Sequence, residues 1–227
     1  MHGEGRLAAE LPTKGLPTES LPTESLPARS RATDHAVRPA STEEAPSLER
    51  ALTEAFMDDP IFSWLMPTER TRALRLRRFF AIELRHLVLP RGTAWTSGEL
   101  AGAALVLPPK AWSTPPHVAL LQGRCFGMQL HRAAGLLAQI ERLHLREAHY
   151  YFAYIGVAPG AQGQGLGSGL MGPTLERCDE QRVPAYLEAS SERNAALYER
   201  LGFRLIREVS FASSPPLRLM RRPPARI

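Results

Sequence analysis

Between an aromatic and β-branched run at Tyr150–Val157 and a helical pattern starting at about Gly165, the chain reads Gln162-Gly163-Gln164-Gly165-Leu166-Gly167-Ser168. This segment constrains the fold more than any other. A strand that passes through a glycine-rich turn directly into a helix leaves the first N–H groups of that helix unpaired, with the helix dipole directed at the turn. Glycines carry no Cβ, so an anion can approach the main chain closely. The segment is a candidate pyrophosphate cradle. Other phosphate loops fit less well. No lysine follows the glycines, as a P-loop requires. Gly167-Ser168-Gly169-Leu170-Met171-Gly172 spells the dinucleotide pattern, but it starts inside the helix and lacks a following strand ending in an acidic residue at the ribose distance. On this motif alone, a glycine-rich turn without a ligand stays open.

The surroundings alternate strand and helix. The second half reads as strand Tyr150–Val157, helix Gly165–Arg182, strand Ala185–Ser190, helix Asn194–Leu201, then strands Phe203–Phe211 and Leu217–Arg222. In the first half, Leu48, Ala51, Leu52, Ala55 and Phe56 recur at helical spacing until Asp58-Asp59-Pro60 interrupts them. A second helix is predicted over about Thr68–Leu89, with Ala73, Leu76, Phe80, Leu84 and Leu87 on one face. Two short strands, Thr93–Ser97 and Ala101–Leu107, flank Gly98-Glu99 as a hairpin, and residues 117–145 are helical in pattern. Ahead of these elements lie four pentapeptides beginning Leu11-Pro12-Thr13, Leu16-Pro17-Thr18, Leu21-Pro22-Thr23 and Leu26-Pro27-Ala28. A proline in every unit blocks helix propagation, and one leucine per unit offers too little apolar surface to offset ordering. Residues 1–44 are therefore expected to be a disordered, proline-rich tail with LPTES-like repeats, and residues 45–223 a single domain.

The cradle motif carries a family resemblance. Gln162-x-x-Gly165-x-Gly167 resembles the (Arg/Gln)-x-x-Gly-x-(Gly/Ala) signature of the GNAT superfamily of acetyl-CoA-dependent N-acetyltransferases. Tyr150–Pro159 looks like that family's fourth strand, Pro184–Phe203 like its fifth strand and following helix, and Leu217–Arg221 like its closing strand. Within the superfamily the run is most similar to the puromycin N-acetyltransferase-like group. The clear match spans roughly residues 144–222. It implies an α/β (α+β) GNAT fold: a twisted mixed central sheet flanked by helices, with the fourth and fifth strands splayed to form the cofactor cleft. It also implies acetyl-CoA as co-substrate, its pantetheine against the main chain of Ile155, Gly156 and Val157. Its pyrophosphate would lie in the cradle of Gln162, Gly163, Gln164, Gly165, Leu166, Gly167 and Ser168.

The implied reaction is transfer of acetyl to a primary amine of a small molecule by direct attack on the thioester. That chemistry needs a base for the ammonium proton, a donor for the developing oxyanion and an acid for the leaving thiolate. Tyr198, just before Gly202-Phe203, matches the family tyrosine that serves as the acid; its alternative is an aromatic packed with Leu197 and Leu201. Glu188 is a carboxylate in an otherwise apolar strand, where burial without a partner is costly and raises a carboxyl pKa toward the range of a base. It is a candidate base or acceptor-binding group, with a structural hydrogen-bonding role as the alternative. His144 and His149, flanking the start of the fourth strand, are further proton-handling candidates, and water is another. Many relatives place an asparagine seven residues before the tyrosine; that position here is Ser191, and Asn194 lies four before it, so the cofactor contact falls to one of the two. Cys125 and Cys178 read as small helix residues. They cannot form a disulfide framework or a CxxC site, and no metal-ligand spacing is present.

The net charge of +5 and a pI near 9.7 suit an anionic partner. The cations are nearly all arginine, as a GC-rich bacterial genome would favour. Residues 1–45 hold five cations against seven carboxylates, leaving the surplus on the folded part. Arg70, Arg72, Arg75, Arg77, Arg78 and Arg85 crowd one helix, yet no aromatic interleaving or nucleic-acid motif accompanies them. Two alternatives to catalysis follow: a non-catalytic acyl-CoA-binding regulatory module and an arginine-rich nucleic-acid binder. No apolar run reaches the ~18 residues of a membrane span, and no secretory signal is visible. The expectation is a cytoplasmic enzyme, monomer or homodimer, without nucleic-acid or membrane partners. The stretch 108–145 is expected to cover the acceptor side; it offers aromatic and apolar residues but little acid, which argues against a polycationic acceptor.

Overall fold

The computed structural model describes residues 36–225. Seven strands form one sheet in the order β1-β2-β3-β4-β5-β7-β6. They are β1 (Val37–Pro39), β2 (Thr93–Ser97), β3 (Gly102–Leu107), β4 (Tyr150–Val157), β5 (Ala185–Ala189), β6 (Arg204–Val209) and β7 (Leu217–Arg222). All neighbours are antiparallel except β4 and β5, which run parallel. The helices are α1 (Ala45–Ala55), α2 (Pro60–Leu65), α3 (Glu69–Ile82), α4 (Leu89–Arg91), α5 (Pro116–Phe126), α6 (Leu130–Leu143), α7 (Leu166–Gln181) and α8 (Glu192–Arg200). The expected mixed sheet with flanking helices is what forms.

Apolar periodicity places a core on each face of the sheet. One face carries Leu48 and Leu52 of α1, Phe62 of α2 and Leu76 and Phe80 of α3. The other carries Leu170 and Met171 of α7 with Phe152 and Phe203. The hairpin β2–β3 forms as the pattern implies, Thr93 opposite Val106. The expected tail lies outside the described residues up to position 35. Beyond it, ordered structure precedes the expected boundary at residue 45. Val37–Pro39 pairs with β2, and Glu44 is gripped by Arg38 and by the Ser41 amide at 2.8 Å. A three-residue edge strand beside a proline carries too little pattern to read.

Two predicted helices are each broken. The stretch 117–145 divides at Gly127, whose φ of +56° a helix cannot contain. The helix predicted over Thr68–Leu89 changes at Glu83–Val88 into a wider π-type turn. Leu76, Phe80, Leu84 and Leu87 of the predicted face are buried, with Glu83 and Val88 beside them, while Ala73 at the start of that face is exposed. The arginines of this helix are partly structural. Arg72 donates to the carbonyls of Met66 and Met57 at 2.9 and 3.0 Å, and Arg85 pairs with Glu49 at 3.0 Å.

Strand β4 does most to position the site. Against β3, Tyr154 faces Leu105 while Phe152 faces Val106, leaving Ala153 as an extra residue. Such a bulge bends its strand and breaks the period of two. Tyr151 and Tyr154 therefore lie on the same face, over α1–α3. A regular strand would have put them on opposite faces. Against β5, β4 pairs only at Tyr150–Ala185 and Tyr151–Tyr186, so the two strands part where the bulge begins.

Candidate functional site

The parted strands open into a cavity of about 340 Å³. Ala153 and Ile155 of β4, Glu188 of β5 and Asn194 and Tyr198 of α8 line one end. Helices α2, α3, α5 and α6 wall the other.

Past the end of β4, main-chain groups dominate. Gly165 caps α7 with φ +80°, and Gly163 has the same φ. Both need glycine's freedom, and a Cβ at either would meet nothing within 4 Å. The first main-chain bond of the helix runs from Gly169 N–H to the Gly165 carbonyl at 3.0 Å, leaving the amides of Gly163–Ser168 without a main-chain acceptor. Gln162 folds back and donates to the Val157 carbonyl at 3.0 Å, tying the loop to the end of β4. Leu166 anchors the helix start in the core. Gly156 is set by packing: the bulge of β4 sits at Ala153, and a Cβ on Gly156 would meet Phe56, Ala55 and Leu52 of the α1 region at 2.9–3.0 Å. Close packing by α1 excludes a side chain there.

The floor of the cavity is a chain of polar groups. The Tyr151 hydroxyl donates to Glu188 Oε2 at 2.8 Å. Glu188 Oε1 has no hydrogen-bond partner; it lies 3.6 Å from Nδ1 of His144. His144 Nε2 lies 3.0 Å from His149 Nε2, and His149 Nδ1 lies 2.7 Å from the Glu147 carbonyl. The order of donors follows from chemistry. A carbonyl only accepts, so His149 donates from Nδ1; burial lowers its pKa and keeps it neutral, leaving Nε2 as an acceptor. His144 then donates from Nε2, and its Nδ1 faces Glu188. Trp112 stacks on the His144 ring at 3.9 Å and holds it in place.

Tyr198 is buried, and burial followed by the charge of Asp59 raises its pKa, so its hydroxyl stays protonated. Ser191 is used locally: its hydroxyl caps α8 by accepting the Asn194 amide at 3.2 Å. The Asn194 side chain is the one of the two that lines the cavity. Both cysteines are buried, and burial pushes the Cys178 thiol up to about 12. The described residues contain no cluster of metal-ligand type.

Three groups of this cavity, Asp59, Glu83 and Tyr154, are not foreseen in the sequence. Asp59 stands at the helix stop, where it caps α2 by accepting from Ile61 and Phe62 amides at 2.9 and 3.0 Å. Its second oxygen accepts from Ser190, and burial raises its pKa. Glu83 reaches in from the π-type turn, and Tyr154 from the bulged strand. A carboxylate among the apolar positions of a predicted helix was the available signal for Glu83. The acceptor side is also more acidic than residues 108–145 suggest: Asp59, Glu83, Glu141 and Glu188 line the cavity, and none of its described lining residues is Lys or Arg.

Comparison with known proteins places this geometry. The family model described as Acetyltransferase (GNAT) family matches residues 49–203. An uncharacterised N-acetyltransferase of Schizosaccharomyces pombe is 29% identical, over 72% of this chain and 73% of that one. The crystal structure titled histone acetyltransferase HPA2 and related acetyltransferase, from Corynebacterium glutamicum, superposes with a TM-score of 0.67 at 28% identity. It covers 85% of this chain and 97% of its own. Arylalkylamine N-acetyltransferase 2 of Aedes aegypti shares the fold at a TM-score of 0.51 and 13% identity, covering 83% and 98% of the two chains.

Proposed function

Because the chain belongs to the GNAT acetyltransferase family, we propose that it acetylates a primary amine of a small molecule, with acetyl-CoA as donor. The observation that carries this reading is a pair of features of one fold: β4 parts from β5 beside the uncapped amides at the start of α7, and the partnered carboxylate Glu188 lines the cavity between the parted strands.

The residues fit the donor. The amides of Gly163–Ser168 with the dipole of α7 would hold its pyrophosphate. The unpaired edge of β4 at Ile155–Val157 would hold its pantetheine, and Asn194, freed by Ser191's capping role, would add a side-chain contact. Bound there, acetyl-CoA supplies an activated acetyl thioester.

The chain's own groups handle the protons. An amine reaches the cavity as an ammonium and must lose a proton to become a nucleophile. Glu188 Oε1, buried and without a hydrogen-bond partner, accepts it, with the Tyr151 hydroxyl steadying Oε2. Nδ1 of His144 receives the proton from Glu188, and the link through His149 to the Glu147 carbonyl stabilises the resulting imidazolium. Tyr198, kept protonated by burial, donates at the opposite side of the reaction. No described helix is long and apolar enough to cross a membrane.

The test is a panel of small primary amines with acetyl-CoA, reading release of the free thiol, alongside calorimetry of acetyl-CoA binding. Thiol release that depends on the amine supports the reading. Tight acetyl-CoA binding without release to any amine, and with release to a peptide N-terminus or lysine, would sink it.

A further inference from the structure

Among the buried acids that the mechanism above leaves unused, Glu83 stands out by its unpaired oxygen. Glu83 is 3% exposed and projects from the π-type turn into the wall of the cavity. Its Oε1 accepts from Gln122 Nε2 of α5 at 2.7 Å. Its Oε2 has no hydrogen-bond partner. The adjacent Arg85 points away and pairs with Glu49. Tyr154 faces the carboxyl from β4, its ring held edge-on by Phe56 and Phe80 at 5.9 and 5.4 Å. No arginine or lysine lines the cavity among its described residues.

An unpaired carboxyl oxygen in an apolar wall is costly unless something pairs with it. The aromatic and aliphatic walls around Glu83, from Phe62, Phe79, Leu87 and Phe126, suit an uncharged body. Of the four acidic residues lining the cavity, Asp59, Glu83, Glu141 and Glu188, Glu83 and Glu188 are the two with a buried, unpartnered oxygen, and apolar surface joins them.

We propose that the acceptor carries a second, cationic nitrogen separated by an apolar body from the amine that is acetylated, and that Glu83 Oε2 is the group that binds this remote nitrogen. The assignment rests on the small-amine reading of the site. It makes Glu83 a specificity residue, remote from the proton relay. Without a ligand, burial pushes the Glu83 carboxyl up to about 8, with Gln122 and Tyr154 pulling it down, so it is largely neutral at pH 7. A docking cation offsets the charge, Glu83 ionises and its proton leaves to solvent.

The experiment titrates the protein by calorimetry with α,ω-diaminoalkanes of three to eight methylenes and with the matching n-alkylamines. Thiol release from acetyl-CoA is followed in parallel. The best diamine should bind about tenfold or more tighter than its monoamine, as a charge-assisted hydrogen bond contributes. Glu83→Gln should abolish that preference while leaving monoamine and acetyl-CoA affinities intact. No diamine preference in the wild type, or an equal preference in Glu83→Gln, overturns the proposal. Should Glu83→Gln lose acetyl-CoA binding and so prove misfolded, ω-amino alcohols on the wild type decide. Binding about tenfold weaker than the diamine supports the subsite, and equal binding overturns it. The two readings separate cleanly. Diamine preference without thiol release keeps the subsite and removes the acetylation of small amines. Acetylation without diamine preference does the reverse.

Discussion

The two ends of the candidate site are built from different materials. The end at the start of α7, outside the lining of the cavity, is main chain: amides of Gly163–Ser168, the unpaired edge of β4, and two glycines at φ +80°. The opposite end is side chain: Glu83, Gln122, Tyr154 and the surrounding phenylalanines, brought together from three helices and a strand. A backbone site depends on local conformation and keeps its shape as long as the loop does. A side-chain site depends on packing between distant segments, and single substitutions can re-aim it. A family with one donor and many acceptors would place its constant chemistry at the first end and its variable chemistry at the second.

Substitutions can break that contrast. The largest effect should come from the group where the two ends meet. Glu188→Gln should lower turnover by about 10²–10⁴-fold, the usual contribution of a positioned base, without weakening acetyl-CoA binding measured by calorimetry; a fall in affinity instead of rate would make Glu188 a structural residue. Next is the pH response of the side-chain end. Glu83 is raised from 4.5 to about 8 in the fold. Its stabilising contribution is complete below pH 4.5 and is lost as pH rises through about 8, because the unfolded chain releases the proton first. Denaturant unfolding should show stability falling across that window by up to about 1.4 kcal/mol per pH unit. Glu83→Gln should flatten this slope, and an unchanged slope would contradict a buried neutral acid. The smallest effects form a matched pair. Gly156→Ala meets α1 side chains at 2.9–3.0 Å; it should cost about 1–3 kcal/mol of stability by overpacking and act through the fold. Gly165→Ala meets open space but must adopt φ +80°. It should cost about 1–2 kcal/mol locally, visible as weaker acetyl-CoA binding. Equal behaviour of the two alanines in both assays would erase the distinction between the ends.

The same contrast explains what could be read from sequence. Strand β4, the glycine turn, α7 and β7 were legible because their determinants are contiguous: a β-branched run, a glycine spacing, an apolar period. Glu188 stood out as a carboxylate in an apolar strand, and the structure joins it to Tyr151 and His144 as a partnered group. Asp59 and Glu83 were less legible. One stands at a helix stop, where capping is reason enough for an aspartate. The other keeps ordinary helical spacing from Leu76, Phe79 and Phe80, so its inward position was readable, but its pairing with Gln122 and its unpaired second oxygen depend on packing between segments distant in sequence. The register at β4 is hidden outright, since one residue without a partner leaves no mark on composition.

That supernumerary residue, Ala153, has a consequence for how such a chain can vary. Removing it would return β4 to an even pleat and turn everything from Tyr154 to Val157 over by half a revolution. Gly156 would then face α7, and Val157 would face the tight contact with α1. The same removal would straighten the strand and press it toward β5, narrowing the gap. The gap beside β5 and the wall packed on α1 thus hang on one hinge pin in the sheet. Lineages of this chain can remodel the chamber wall freely, but an insertion or deletion within this strand would dismantle both at once.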